Sequence, residues 1–316
     1  MDGVLVAGIA FVAAAVLTPV AIRVAFRWRI VDRPGDLKTQ RVPVAYLGGV
    51  AVFLAAAVGP VVAGHAWILL PGGLALALGL ADDVRPLPVP FRIGAELTIA
   101  VVAAVGVDGP ALERVATAVL VLGLLNAVNL LDGQDGLASG TVAIIALGFA
   151  LLGGPATTIG LALAAALAGF LLFNRPPARV YLGDAGAYFL GTMCALLPSL
   201  THDASTRWSV WWAVPLLVAV PVTDTAVAIG RRLRAGRPLL QGDRSHVYDQ
   251  LVDRGLTVGR STLTGIGAQV VASAAGVLAA RSQPAIALAV TLVAALVTAV
   301  VVTRSGFLTP DGASDR

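Results

Sequence analysis

Eleven apolar runs of about 15 to 23 residues make up most of this chain, and several of them end on an aspartate. A helix needs about 20 residues to cross a hydrocarbon core of ~30 Å. In lipid every backbone N–H and C=O must find its partner within the protein, so runs of this length fold as spanning helices. Spans are predicted near residues 4–22, 47–63, 66–81, 92–107, 115–131, 137–153, 156–173, 185–200, 208–230, 262–280 and 283–303. Composition agrees, since 58% of residues are hydrophobic and 13% charged, with a mean hydropathy of +0.88, whereas soluble domains carry about 25% charged residues. The expected architecture is an all-α polytopic transmembrane bundle of about 10–11 spans. No repeat of about 20–50 residues and no long polar linker divides the sequence. It reads as a single integral-membrane domain over residues 1–316. The first run is followed by Arg23, Arg27 and Arg29 rather than by a small-residue cleavage site, so residues 4–22 read as a retained span.

Charge orients the bundle. With the N-terminus outside, 19 Lys and Arg residues fall on the inner face and only Arg114, Arg207 and Arg281 on the outer one. Cytoplasmic loops of membrane proteins carry an excess of Lys and Arg, so the N-terminus is predicted outside and the C-terminus cytoplasmic. The same bias accounts for the net charge of +4 and the pI near 9.8 without a nucleic-acid-binding face, because the basic residues are scattered among loops and form no basic domain. Cys194, the only cysteine, lies inside an apolar run. That excludes a disulfide framework and a thiolate metal cluster and leaves core packing.

The same threading brings Asp82, Asp83, Asp132, Asp135 and Asp184 to the cytoplasmic face. A carboxylate at the centre of a spanning helix costs about 2.5–3.5 kcal/mol, and five at one surface point to a bound cation or to phosphate chemistry. Asp82 and Asp83 close the third run. Adjacent carboxylates there can both line a cavity, but they repel unless a cation or a proton intervenes. Asn126, Asn129, Asp132 and Asp135 recur at every third position, which on a helix is one polar stripe, while Gly133 and Gly136 interrupt the helix and admit a ligand to the backbone. The segment NRPPARVYLGD offers Arg175 and Arg179 as phosphate-pairing forks, Tyr181 as a stacking face and Asp184 as a carboxylate. His246 is the only histidine on the inner face, in the longest inner loop and close to Asp243 and Arg244. Lys38 is the only lysine beside 21 arginines, which marks a place for a compact ammonium. Arg92 and Glu96, spaced i,i+4, read as a snorkelling ion pair. Asp224 is open between pairing with Arg231 or Arg232 and a place in the site.

Taken in order, the segments DRPGDLKTQRVPVAYLGG, GLADD, NAVNLLDGQDGLASG and GFLLFNRPPARVYLGDAGAYFLG resemble the motifs of the polyprenyl-phosphate N-acetylhexosamine-1-phosphate transferases, glycosyltransferase family 4. The resemblance runs over nearly the whole chain. It departs from the family's pattern at Gln40, where a histidine usually follows Lys38 by two positions, and at Ala45, where a proline is common. In the last inner loop only His246 of the family's histidine cluster remains, with Tyr248 and Asp249 in the later positions.

The resemblance implies transfer of a sugar 1-phosphate from a UDP-sugar to polyprenyl (undecaprenyl) phosphate, with release of UMP, at the cytoplasmic face of a bacterial plasma membrane. It implies Mg²⁺, or Mn²⁺, as the cofactor. UDP-sugar, polyprenyl phosphate and membrane lipids are the implied partners, and a homodimer is compatible with it. Asp184 and Asp83 are then the expected metal ligands, and Asp82 the residue that deprotonates or positions the lipid phosphate. Tyr181 would stack on the uracil, with Asn174, Asp132 and Asp135 shaping the nucleoside pocket beside Asn126 and Asn129. Lys38 and His246 would pair with phosphate oxygens, with Arg244 on the substrate. Two alternatives compete. A cation- or proton-coupled transporter keeps its acids near the bilayer midplane, whereas these gather at the inner ends of spans. A non-catalytic family member that binds lipid-linked intermediates is suggested by the missing histidines.

Overall fold

The computed structural model describes residues 2–33, 42–201, 207–238 and 246–309. Each of the eleven predicted runs is helical. Helix α1 covers Gly3–Trp28, and α2 (Gly48–Ala56) with α3 (Val58–Val62) forms the second run. A 3₁₀ turn at Ala66–Ile68 leads into α4 (Leu69–Val84), followed by α5 (Val89–Gly106), α6 (Ala111–Leu131), α7 (Leu137–Ala150) and α8 (Pro155–Asn174). Helix α9 (Gly183–Leu196), the broken pair α10 (Arg207–Leu217) and α11 (Ala219–Arg234), the short α12 (Val247–Asp253), α13 (Val258–Ala280) and α14 (Pro284–Arg304) complete the bundle. Seven of these helices are long and apolar enough to cross a membrane, or eight if the bent pair α10–α11 is one span.

The remaining apolar helices are short for a physical reason. Helix α9 has 14 residues, fewer than the ~17 that a lipid-facing span requires, but from Ala185 to Leu196 it is buried against protein. It packs on α2, α4 and α6, so hydrocarbon thickness places no demand on its length. Small residues make the packing possible: at Gly79 of α4 a Cβ would collide with the Asp184 carbonyl of α9. That contact sets the end of α4, which carries Asp82 and Asp83, directly against the start of α9.

The run predicted as one span over 208–230 is bent by 58° between α10 and α11. Pro215 and Pro221 flank the break and supply no backbone N–H of their own. Gln269 of α13 fills the gap. Its Nε2 donates to the Leu217 carbonyl (2.8 Å) and its Oε1 accepts from Val220 N (3.0 Å), which satisfies backbone groups that lipid would leave bare.

Two-residue strands β1 (Val31–Asp32) and β2 (Val44–Ala45) pair antiparallel, Val31 opposite Ala45 and Asp32 opposite Val44. Ala45 also bridges Val180 in parallel. Through this patch Tyr181 N donates to Ala45 O (2.8 Å), and Gly48 N and Gly49 N donate to the carbonyls of Tyr181 and Leu182. The α1–α2 connection is thereby fastened to the segment that leads into α9. Cys194 is buried within α9 as a free thiol, a packing residue.

Candidate active site

The site is organised by the N-terminus of α9. The first N–H groups of a helix have no partner inside it and together favour an anion. Here carboxylates from other helices take them. Asp83 Oδ1 accepts from Asp184 N (2.9 Å) and Oδ2 from Ala185 N (3.1 Å), while the Gly183 N–H stabilises the Asp132 carboxylate. Gly183 makes this geometry possible. It has φ +70°, and a Cβ there would lie 2.6 Å from Asp83 Oδ2 and 3.0 Å from the Tyr46 carbonyl, a conformation that costs an L-residue about 1–2 kcal/mol even in open space. Asp184, in the first turn of α9, is left facing the carboxylates of Asp83 and Asp82, with Arg92 as the nearby positive charge.

Asp82 is held from the α4–α5 connection and from α5. Its Oδ1 accepts from Leu87 N (2.7 Å), and Arg92 Nη1 lies 3.4 Å from Oδ2. Arg92 Nε is 3.7 Å from Glu96 Oε1, and Glu96 Oε2 accepts from Asn126 Nδ2 of α6 (2.9 Å). The Arg92–Glu96 pair expected at the span entrance therefore continues in both directions, from Asn126 through Glu96 and Arg92 to Asp82. Asn129 lies half-buried one turn further along α6.

The opposite wall is built from the α6–α7 turn and the segment after α8. Asn174 is 2% exposed, and both ends of its amide are engaged. Nδ2 donates to the Val180 carbonyl (2.8 Å), and Oδ1 accepts from Ser139 Oγ (2.7 Å). Asn174 thus shapes the loop that presents Tyr181. Asp135 Oδ2 accepts from Ala178 N (2.9 Å) and holds the same loop from the α7 side. Burial pushes the Asp135 carboxyl above the ordinary carboxylate range, with the Ala178 N–H acting against it. For Asp132 burial again leads, reinforced by Asp184, Asp83 and Asp135, and its carboxyl is driven well above that range. The Tyr181 ring lies 6.0 Å from that of Tyr46. Burial and the neighbouring aspartates push both phenols up. Arg175 and Arg179 are exposed, and Arg179 covers the Phe173 ring at 5.0 Å.

His246 immediately precedes α12 and is 4% exposed. Its Nδ1 is 2.6 Å from Asp224 Oδ2, and Val247 N donates to Asp224 Oδ1 (2.8 Å). The imidazole stacks on Tyr248 with ring centroids 5.4 Å apart. Tyr248 then donates from its hydroxyl to the Leu130 carbonyl near the end of α6 (3.1 Å). Tyr248 thus anchors the start of α12 to the α6 terminus.

Asp82, Asp83, Asp132 and Asp184 share one electrostatic cluster. Tyr181, Asp135 and Asn174 line one side of it, and His246 sits on a buried carboxylate beyond Tyr248. Lys38, Gln40, Asp243 and Arg244 lie outside the described residues. Two further members come from the DRPGDLKTQRVPVAYLGG segment without a chemical pattern of their own to mark them. Asp32 on β1 acts on Asp83, and Tyr46 after β2 lies within electrostatic reach of Asp83, Asp132 and Asp184, both brought there by the β1–β2 pair and its bridge to Val180. Among the described residues no group of three His, Cys, Asp or Glu side chains is arranged to hold a metal ion. A cation in this cluster would need oxygens from substrate and water. That is the usual coordination of Mg²⁺, which keeps several waters and takes one or two carboxylates with phosphates.

Residues 65–202 match the model of the family described as glycosyl transferase family 4. A Bacillus subtilis protein named "Probable undecaprenyl-phosphate N-acetylglucosaminyl 1-phosphate transferase" is 30% identical over 280 residues, 78% of this chain and 76% of that protein. The decaprenyl-phosphate N-acetylglucosaminephosphotransferase of Mycolicibacterium smegmatis is 28% identical over 92% of this chain and 86% of its own length. A phospho-N-acetylmuramoyl-pentapeptide-transferase of Heliobacterium modesticaldum is 41% identical over a shorter stretch, 39% of this chain and 37% of its own.

Proposed function

The chain belongs to glycosyl transferase family 4, and on that premise we propose that it transfers an N-acetylhexosamine 1-phosphate from a UDP-sugar to polyprenyl phosphate. A non-bridging oxygen of the lipid phosphate attacks the β-phosphorus of the UDP-sugar. The bond from that phosphorus to the bridging oxygen breaks, and UMP leaves with the bridging oxygen. The product is a polyprenyl-diphosphate sugar, a precursor for cell-wall or surface polysaccharide. The observation that carries this reading is the convergence of Asp82, Asp83, Asp132 and Asp184 on the start of α9, a set of carboxylates that needs a cation before a diphosphate can enter.

Asp184 and Asp83 would hold Mg²⁺, and Mg²⁺ would neutralise the diphosphate and the charge that develops on the leaving group. Asp184 is the better placed of the two, because both oxygens of Asp83 already accept backbone N–H groups. Asp82, fixed by Leu87 N and Arg92, orients the lipid phosphate. That phosphate has a second pKa near 6 and is mostly dianionic at pH 7, so positioning exceeds deprotonation as its contribution. Tyr181 offers its ring to the uracil beside Asp132 and Asp135. His246, oriented through Nδ1 by Asp224, serves a phosphate oxygen together with Lys38 and Arg244. The site faces the cytoplasm of a bacterial plasma membrane, in keeping with the excess of Lys and Arg on that side.

Purified protein in detergent, given UDP-N-acetylglucosamine, undecaprenyl phosphate and Mg²⁺, is expected to release UMP. Omission of the lipid or addition of a chelator is expected to abolish the release. UMP release that persists without the lipid acceptor would sink the proposal.

A further inference from the structure

Behind Asp82 and Asp184 lies a buried polar junction that the transfer reaction, as described, does not use. Tyr188 stands on α9 four residues after Asp184, one turn deeper in the bundle, and is 0% exposed. Its hydroxyl has no hydrogen-bond partner. Two further buried atoms in the same region are also unpartnered, Arg92 Nε and Glu96 Oε1, which lie 3.7 Å apart. All three groups feel one another. Tyr188 is within electrostatic reach of Asp184, Arg92, Asp82 and Glu96, and Arg92 within that of Tyr188, Asp82 and Glu96.

A buried hydroxyl without a partner is costly, and three such atoms in one buried region call for water between them. Water bound inside proteins makes about three hydrogen bonds to groups left unsatisfied. The donor and acceptor types fit. Arg92 Nε–H and the Tyr188 O–H can both donate to a water oxygen, and that water can donate one hydrogen to Glu96 Oε1 and the other to a carboxylate of the cluster. An aliphatic or phenyl side chain at 188 would support no such junction.

We propose that Tyr188 is a positioning residue for the transfer reaction, acting with Arg92 and Glu96 through buried water to fix the carboxylate of Asp82. The inference rests on the transferase reading given above. Tyr188 touches no substrate. It keeps Arg92 from turning away from Asp82, and Glu96, itself tied to Asn126, completes the brace on the α5 side. The phosphate acceptor therefore meets a carboxylate whose rotamer is already set, which matters because small misplacements of a positioning group are costly to the reaction step.

The test is a double-mutant cycle on UMP release. Tyr188→Phe keeps the ring that packs in the bundle and removes only the hydroxyl. One hydrogen bond is worth about 0.5–1.5 kcal/mol, so kcat should fall by roughly two- to tenfold, with KM for the UDP-sugar unchanged. In an Asp82→Asn background the same substitution should cost nothing further, because the group it positions is gone. Glu96→Gln, which keeps the shape of the brace and loses its charge, should show the same lack of additivity. Equal losses from Tyr188→Phe with and without Asp82→Asn, or a loss confined to KM, would overturn the inference. If the wild-type protein releases no UMP, the transferase reading itself fails. UMP release with additive mutational losses overturns only the role of Tyr188.

Discussion

Replacing Asp83 with asparagine separates its two possible duties. In the structure Asp83 accepts two backbone N–H groups at the start of α9, from Asp184 at 2.9 Å and from Ala185 at 3.1 Å. Asparagine keeps one acceptor oxygen and presents an NH₂ group to the other N–H, so one charge-assisted bond is lost and two donors face each other. Hydrogen bonds to a charged group contribute about 1.5–3 kcal/mol, and a buried donor left bare costs a further ~1–3 kcal/mol. The loss of the Asp83 charge also relieves its repulsion with Asp82 and Asp184 and offsets part of this, so Asp83→Asn should destabilise the metal-free protein by about 1–2 kcal/mol, seen as a lower unfolding midpoint in detergent with chelator present. Asp184→Asn should do the opposite. It removes a negative charge that faces Asp82 and Asp83, and relief of like-charge repulsion raises the midpoint without Mg²⁺ while removing the stabilisation that Mg²⁺ brings. Destabilisation by Asp184→Asn together with no change in Asp83→Asn would refute the assignment of Asp83 to the α9 terminus.

Gly183→Ala should reduce turnover by at least tenfold, since its Cβ would press on Asp83 Oδ2 in a backbone conformation that itself costs about 1–2 kcal/mol; UMP release at wild-type rate would show that the terminus tolerates displacement of Asp83. Asp224→Asn keeps the shape of the buried pair with His246 and removes its charge; kcat/KM should fall by roughly tenfold, as expected for a weakened hydrogen bond to a charged group, and in a His246→Ala background the same substitution should add little. For Asp135 the sign follows from its raised carboxyl pKa. Its contribution to stability is full below the ordinary aspartate value near 3.9 and is lost as pH rises through the higher folded-state value. Without nucleotide, the unfolding midpoint of the wild type should therefore decline relative to Asp135→Asn as pH rises from about 4 toward neutrality, and parallel curves would contradict this.

The helices were legible because hydrocarbon imposes a length on them, and each predicted run is helical, two of them as broken pairs. What hydropathy cannot report is whether an apolar helix faces lipid or protein. Helix α9 shows the difference, as its 14 residues are surrounded by other helices and need no full span. The break between α10 and α11 has a sequence trace in Pro215 and Pro221, but Gln269, 49 residues beyond Val220, is what makes it tenable. The acids of the cluster were visible as charges at the ends of apolar runs. Their division of labour was not, because Asp83 finds its partner 101 residues away at Asp184 N, and His246 finds Asp224 22 residues back. Asp32 and Tyr46 lie in the motif segment DRPGDLKTQRVPVAYLGG, but nothing in their spacing ties them to the other aspartates until the strand pair folds them onto the cluster.

Following the two phosphorus atoms of the donor tests the transfer most directly. With UDP-N-acetylglucosamine labelled separately at the α- and β-phosphorus, undecaprenyl phosphate and Mg²⁺, the β-label should pass to the organic phase as lipid diphosphate sugar while the α-label stays in water as UMP. Recovery of both labels in water as UDP, with sugar alone on the lipid, would contradict phosphoryl transfer at the α9 terminus.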